Sequence, residues 1–280
     1  MDVKKVLNNN VVFSENELGQ EIVVMGRGLG FKKKPGDVLD DAAIEKVFVL
    51  SQKGMVDKFY ELLMEIPIEY VDVSDKIIKY GQIRLGKPLN TGILLSLTDH
   101  IFYAVKRFKE NITVPNGLLW ETKRLYADEF AVGQKAIAYI EEDFDVKLPE
   151  DEAGFIALHI VNGELDEGIP TIVSMTKVMD SILNMIKEFF ATDFDNNSLS
   201  YHRFITHLKF FSQRLVTNTP YENCLEKALF KLVKNKYKRA FECAQKIKVY
   251  IDEKYDYIFS DEELFYMTLH IERVIHHTTI

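Results

Sequence analysis

EDEAGFIALHI, residues 150–160, is an apolar helical run that closes on a histidine, His159. The chain writes it again as DEELFYMTLHI, residues 261–271, closing on His270. A second echo lies upstream of each run. DHIFYAVKRF falls over THLKFFSQRL, which sets His100 over His207 and Arg107 over Arg214. The first pair of histidines is offset by 107 positions and the second by 111. Two histidines and an arginine holding register across two separate helices mark one unit made twice. The expected fold is therefore multidomain, with two homologous all-α bundles, each helix burying one apolar stripe.

Working outward, helical texture begins after Gln52. QKGMVDKFYELLMEI stops at Pro67, and SDKIIKYGQIRL follows with Ser74 as a candidate N-cap. Residues 92–109 read as a helix, and 118–142 as one long helix. Residues 151–165 make the helix of His159. Gly168-Ile169-Pro170 reads as a linker. The second unit then runs through helices at 177–190, 199–216, 221–236, 237–255 and 261–277.

The first fifty residues differ. VKKVL, VVFS, QEIVVMG and KVFVLS are short β-rich runs separated by Asn, Gly and Pro turns. They predict a small antiparallel sheet. So short a segment buries little alone, which calls for dimerisation or support from a partner surface. Within it GRGLGFKKKPG, residues 26–36, gathers Arg27, Lys32, Lys33 and Lys34 around Phe31 with no acid between them. Cations hold phosphates and an aromatic ring stacks on an unpaired base, so the patch suits RNA. A solvated lysine face is the plainer reading. A dinucleotide loop is excluded, because Phe31 stands where the last glycine of GxGxxG belongs and KKKPG cannot open the helix such a loop needs.

Over all 280 residues the net charge is −8, with 47% hydrophobic and 28% charged residues. That is a globular balance, and it confines any nucleic-acid site to a local patch. Two cysteines, Cys224 and Cys243, have no metal-site spacing and make no disulfide framework, as expected of a reduced cytoplasmic protein. The sequence shows no signal peptide and no stretch of membrane-span length.

The repeated histidines admit three readings: satisfied core residues, metal ligands or phosphoryl acceptors. Metal binding lacks the spacing, since His202 and His207 are five apart and no HExxH occurs. Hydrolase chemistry has no GxSxG motif. A neutral imidazole is a good nucleophile near pH 7, and its phosphorylated form adds close to two negative charges. Arg107 and Arg214 follow His100 and His207 by seven residues, nearly two turns along the same face. They are candidates to read such a phosphate or to hold the unmodified ring.

KVLNNNVV, VVMGRGLGFKK, SLTDHI, LLWETKRLYADEF, LPEDEAGFIALHIVN, RFITHLKFF and LHIERV together resemble the BglG/SacY family of transcriptional antiterminators, of LicT type, over the whole length. The resemblance implies an RNA-binding CAT domain at 1–56 and PTS regulation domains at 65–169 and 170–280. It implies a homodimer that binds a leader-mRNA hairpin and prevents termination of a sugar operon, with β-glucosides or β-glucans the family-level substrate. Asn10, Gly26, Arg27 and Phe31, with Lys5 as a lesser candidate, match the family's RNA contacts. His100 and His159 match the positions at which the sugar permease (enzyme II) switches the protein off. His207 and His270 match those at which the phosphocarrier HPr switches it on. No catalytic residue, metal or cofactor is expected. The alternative is a PTS-regulated DNA-binding activator, which requires a helix-turn-helix where these fifty residues read as strands.

Overall fold

The computed structural model describes residues 1–49, 58, 61–62, 65–219, 227–255 and 257–276. Most of the expected helix at 52–66 and Cys224 lie outside the described residues. Four strands, β1 (Lys5–Asn8), β2 (Val11–Glu15), β3 (Glu21–Met25) and β4 (Lys46–Val49), form an antiparallel sheet in sequence order. Successive side chains point to opposite faces, and here both faces are apolar. Val12, Ile22 and Val24 pack with Val3, Leu29 and Leu39 on one side. Val11, Val23 and Met25 join a helical cluster with Val71, Ile77, Leu97 and Ile156 on the other. VVF and EIVVM do not alternate with polar residues because neither face meets water. At the sheet's end Lys46 pairs with Asp72 at 2.7 Å and with Asp75 at 3.3 Å.

Ten α-helices follow among the described residues: α1 (Ile68–Leu85), α2 (Ile93–Lys109), α3 (Leu119–Leu125), α4 (Ala127–Phe144), α5 (Glu150–Leu165), α6 (Ile169–Phe190), α7 (Leu199–Thr217), α8 (Lys227–Lys236), α9 (Lys238–Tyr255) and α10 (Asp261–His276). They divide into two compact units. One comprises Met1–Asn116 and Asp128–Asp166, the other Gly117–Ala127 and Glu167–Ile280. No helix among the described residues is long and apolar enough to cross a membrane.

Three local expectations need correction. Ser74 is not an N-cap. The helix starts six residues earlier, directly after Pro67, and the buried Ser74 hydroxyl donates to the Tyr70 carbonyl at 2.7 Å. Proline fixes its own φ and lacks an N–H, which suits the position just before a first turn. Residues 118–142 are two helices, broken at Tyr126 with φ −130° and ψ 49°. The break seats the Tyr126 ring in the second unit, where its hydroxyl lies 3.2 Å from Thr176 Oγ1, and Arg124 pairs with Asp180. Gly168-Ile169-Pro170 is a helix start and not a linker. Gly168 takes φ +88° and Pro170 sits in the first turn of α6.

In the first unit α4 crosses α5 with Gly133 against the backbone. A Cβ at Gly133 would stand 2.1 Å from the Ala153 carbonyl oxygen. This contact sets α5 and so the height of Glu152 and His159. Gly133→Ala must push the helices apart, at a cost of about 2 kcal/mol. The expected outcome is a lower melting temperature, while Gly117→Ala, which meets nothing within 4 Å, leaves it unchanged.

Candidate functional site

In the first unit His100 and Arg107 lie two turns apart on α2, and Glu152 and His159 lie two turns apart on α5. The helices run antiparallel, so ring meets ring and guanidinium meets carboxylate. The His100 and His159 centroids are 4.9 Å apart. Arg107 donates to Glu152 Oε1 at 3.2 Å. Glu152 Oε2 also lies 3.0 Å from His100 Nε2, off the line of a hydrogen bond, so that neither atom has a well-directed partner.

The second unit repeats the frame on α7 and α10. The His207 and His270 rings are 4.0 Å apart, and Arg214 donates to Glu263 at 3.4 Å. Beside them a cavity of about 320 Å³ is lined by His207, Arg214, Glu263, Tyr266 and His270 among others. His207 is exposed, while His270 is buried at 8% exposure.

Burial controls the protonation of His159, His207 and His270. Desolvation, and then the neighbouring His100, push His159 down to about 3. Desolvation, His207 and Arg273 push His270 down to about 4. His207 is lowered too, by burial first and then by Arg214 and Arg273. All three are neutral at pH 7 and keep a nitrogen lone pair.

The candidate nucleic-acid patch is built at one end of the sheet. Val11 registers against Met25, which brings the turn after β1 beside the loop after β3. Gly26 N–H donates to the Asn10 carbonyl at 2.9 Å, and Gly28 N–H donates to the Asn10 side-chain oxygen at 2.8 Å. Gly26 is irreplaceable here, since a Cβ would stand 1.8 Å from the Ala43 carbonyl oxygen. Leu29 anchors the loop in the core at 3% exposure, which leaves Arg27 outside and Phe31 58% exposed. Lys32 lies 5.3 Å from the Phe31 ring centroid. Asn10, Gly26 and Arg27 line one notch. Lys5 is not brought into it; it sits on β1 in register with Phe13.

Residues missed in the sequence are Glu152 and Glu263. Their side chains are only 5% and 3% exposed, and both meet the predicted arginine. The signal was present, because each precedes its histidine by seven residues, the spacing that singled out the arginines.

Residues 1–56 match the model of the CAT RNA binding domain, and residues 75–163 and 180–274 each match the PRD domain. These matches cover the antiparallel sheet and both helical bundles, and the chain belongs to the BglG/SacY family of transcriptional antiterminators. Among its relatives, it is 52% identical to the transcription antiterminator LicT of Bacillus subtilis (strain 168), over 98% of this chain and 99% of that one. It is 46% identical to a beta-glucoside operon antiterminator of Dickeya chrysanthemi, over 98% and 96%. The crystal structure of GlcT CAT-PRDI superposes with a TM-score of 0.51 at 39% identity, covering 58% of this chain and 97% of that one.

The depressed histidines make stability depend on pH. An unfolded histidine titrates near 6.5, against about 3 and 4 for folded His159 and His270. Below about pH 6.5 the unfolded state therefore binds more protons, and stability falls as pH falls toward 4, at up to ~1.4 kcal/mol per pH unit per histidine. The melting temperature is expected to drop between pH 7 and pH 5, and less so in a variant carrying His159→Gln and His270→Gln. Equal drops in both proteins would mean that other groups govern the pH response.

Proposed function

We propose that this protein binds a hairpin in the leader of a β-glucoside or β-glucan operon transcript and prevents termination, under the control of PTS-dependent histidine phosphorylation. The observation that carries the RNA reading is the gathering of Asn10, Gly26 and Arg27 in one notch with Phe31 exposed beside it. Backbone held close by glycine, a free guanidinium reach and an unstacked ring fit a hairpin with splayed bases. Lys5, farther down β1, contributes charge at most to the phosphate track.

The regulatory part of the reading rests on the two histidine pairs. His100 and His159 are the phosphate acceptors of the first PRD domain, served by the sugar permease and inhibitory. His207 and His270 are those of the second, served by HPr and activating. The imidazole rings supply a nucleophile, and Arg107 or Arg214 a cation to receive the product's charge. The active form is a cytoplasmic homodimer. The domain limits follow the repeat, with the CAT domain at 1–56 and the regulatory domains at 65–169 and 170–280.

Two measurements test this. Arg27→Ala or Phe31→Ala should weaken binding of a leader hairpin by about tenfold or more, since each stacked base contributes ~1–3 kcal/mol, with the circular dichroism unchanged. Unaltered affinity would reject the RNA site. His207→Asp with His270→Asp should raise both the dimer fraction and read-through in a reporter assay, through added negative charge. If the paired Asp variant matches the paired Ala variant, the charge-switch reading falls.

A further inference from the structure

The two histidine frames share residues but differ in what holds the carboxylate. In the second domain Glu263 is the third residue of α10 and closes a reciprocal cap with Ser260. Glu263 N–H donates to Ser260 Oγ at 3.2 Å, and Ser260 N–H donates to Glu263 Oε2 at 3.1 Å. This is the capping-box arrangement. The Ser260 hydroxyl lies 3.2 Å from the same oxygen, and the Tyr257 hydroxyl donates to the other at 2.8 Å. Both carboxylate oxygens are anchored at the helix start, and the one that accepts from Tyr257 also accepts from Arg214 at 3.4 Å.

In the first domain those anchors are missing. By the offset of 111, Tyr257 becomes Val146 and Ser260 becomes Pro149. Valine has no hydroxyl, and proline has neither a hydroxyl nor an N–H. Pro149 caps α5 with no side-chain hydrogen bond. Glu152 has no box to close, so it turns into the site, 3.2 Å from the Arg107 guanidinium and 3.0 Å from His100 Nε2.

We infer that Glu152 is a resident stand-in for phosphate: it occupies the position a phosphoryl group on His100 Nε2 would take and holds the Arg107 that would receive it. It is a positioning residue that delays modification of His100, whereas the capped Glu263 leaves His207 open to the adjoining cavity. This rests on the phosphohistidine reading above.

The chemistry makes the competition direct. A protonated phosphoimidazole donor loses its N–P bond, and the electron pair returns to the donor ring. The lone pair of the neutral acceptor ring forms the new N–P bond, and no proton changes hands. At His100 the Nε2 atom lies 3.0 Å from a carboxylate oxygen of Glu152. The phosphoryl group arrives with close to two negative charges, so Glu152 must leave before the bond forms. Once displaced, a carboxylate that is 5% exposed has lost its cation, and burial of an unpaired charge is strongly unfavourable. The α2–α5 contact then loosens. The second domain gains the same phosphate without displacing an acid from its ring. One duplicated unit thus responds in two ways, and the difference is written at positions 146 and 149.

The test uses the full chain and potassium phosphoramidate, a small phosphoryl donor that needs no docking surface and releases ammonia as its P–N bond breaks. Phosphate at each histidine is mapped by peptide analysis over time. In the wild type His207 should label faster than His100. Glu152→Gln should raise the His100 rate about tenfold, equivalent to ~1.4 kcal/mol, and leave His207 unchanged. A second variant leaves the acid in place: Val146→Tyr with Pro149→Ser restores both anchors and should speed His100 in the same way. Glu263→Gln should not speed His207. Equal wild-type rates at His100 and His207, or labelling of His100 indifferent to both first-domain variants, would overturn the inference alone. Absence of label at all four histidines from both phosphoramidate and HPr would overturn the phosphohistidine reading with it.

Discussion

A carboxylate buried between two helices needs a cation, and much of each regulatory domain follows from that need. Glu152 and Glu263 sit near the start of a helix that carries a histidine two turns further on. Their arginines sit two turns beyond a histidine on the partner helix. For acid and base to meet, the helices must run antiparallel and in one register. That register brings the rings together, tilted by about 40° and 4.9 Å apart in one domain and 4.0 Å in the other. The histidine pairs are thus a geometric result of the ion pair and of the apolar stripes around it. The low proton affinity of His159, His207 and His270 results first from the same burial.

The sheet obeys a different constraint. Its strands have two apolar faces, and one of them is satisfied within the first fifty residues, by Val3, Leu29 and Leu39. The other requires something from outside, and in this structure Val11, Val23 and Met25 pack into the helical cluster of the first unit. The loops at the sheet's end are tethered by the same economy. Leu29 enters the core, Gly26 and Gly30 press against backbone carbonyls, and Arg27 and Phe31 on either side of Leu29 are left exposed. The exposed surface of this loop is a by-product of anchoring it by its middle.

Much of this could be read from the residues alone. The repeat was legible because helical periodicity and two histidines survive the duplication. The four strands were legible because Asn, Gly and Pro separate their β-branched runs. The role of Glu152 was not, although it stands in the decisive stretch, because acids in a first helical turn ordinarily complement the helix dipole and EDE reads that way. The break at Tyr126 was hidden as well. WETKRLYADEF holds neither glycine nor proline to break a helix, and only burial of the tyrosine at 1% exposure beside Thr176 explains the interruption. Ser74 misled for a related reason. A serine before an apolar run resembles a cap, but Pro67 had already started the helix.

The segment from Gly117 to Ala127 carries a consequence for the order in which the molecule can be completed. It is translated between two parts of the first unit and belongs to the second. When it leaves the ribosome, Thr176, Met179 and Asp180 have not yet been made. The side chains of Thr122, Leu125 and Tyr126, all of them buried in the finished protein, must wait in water for roughly fifty residues of further synthesis, a few seconds at cellular rates. The first unit can close around the gap, but its excursion cannot be buried until α6 arrives. Duplication made two domains of like design, and this short helix ensures that they are not finished independently.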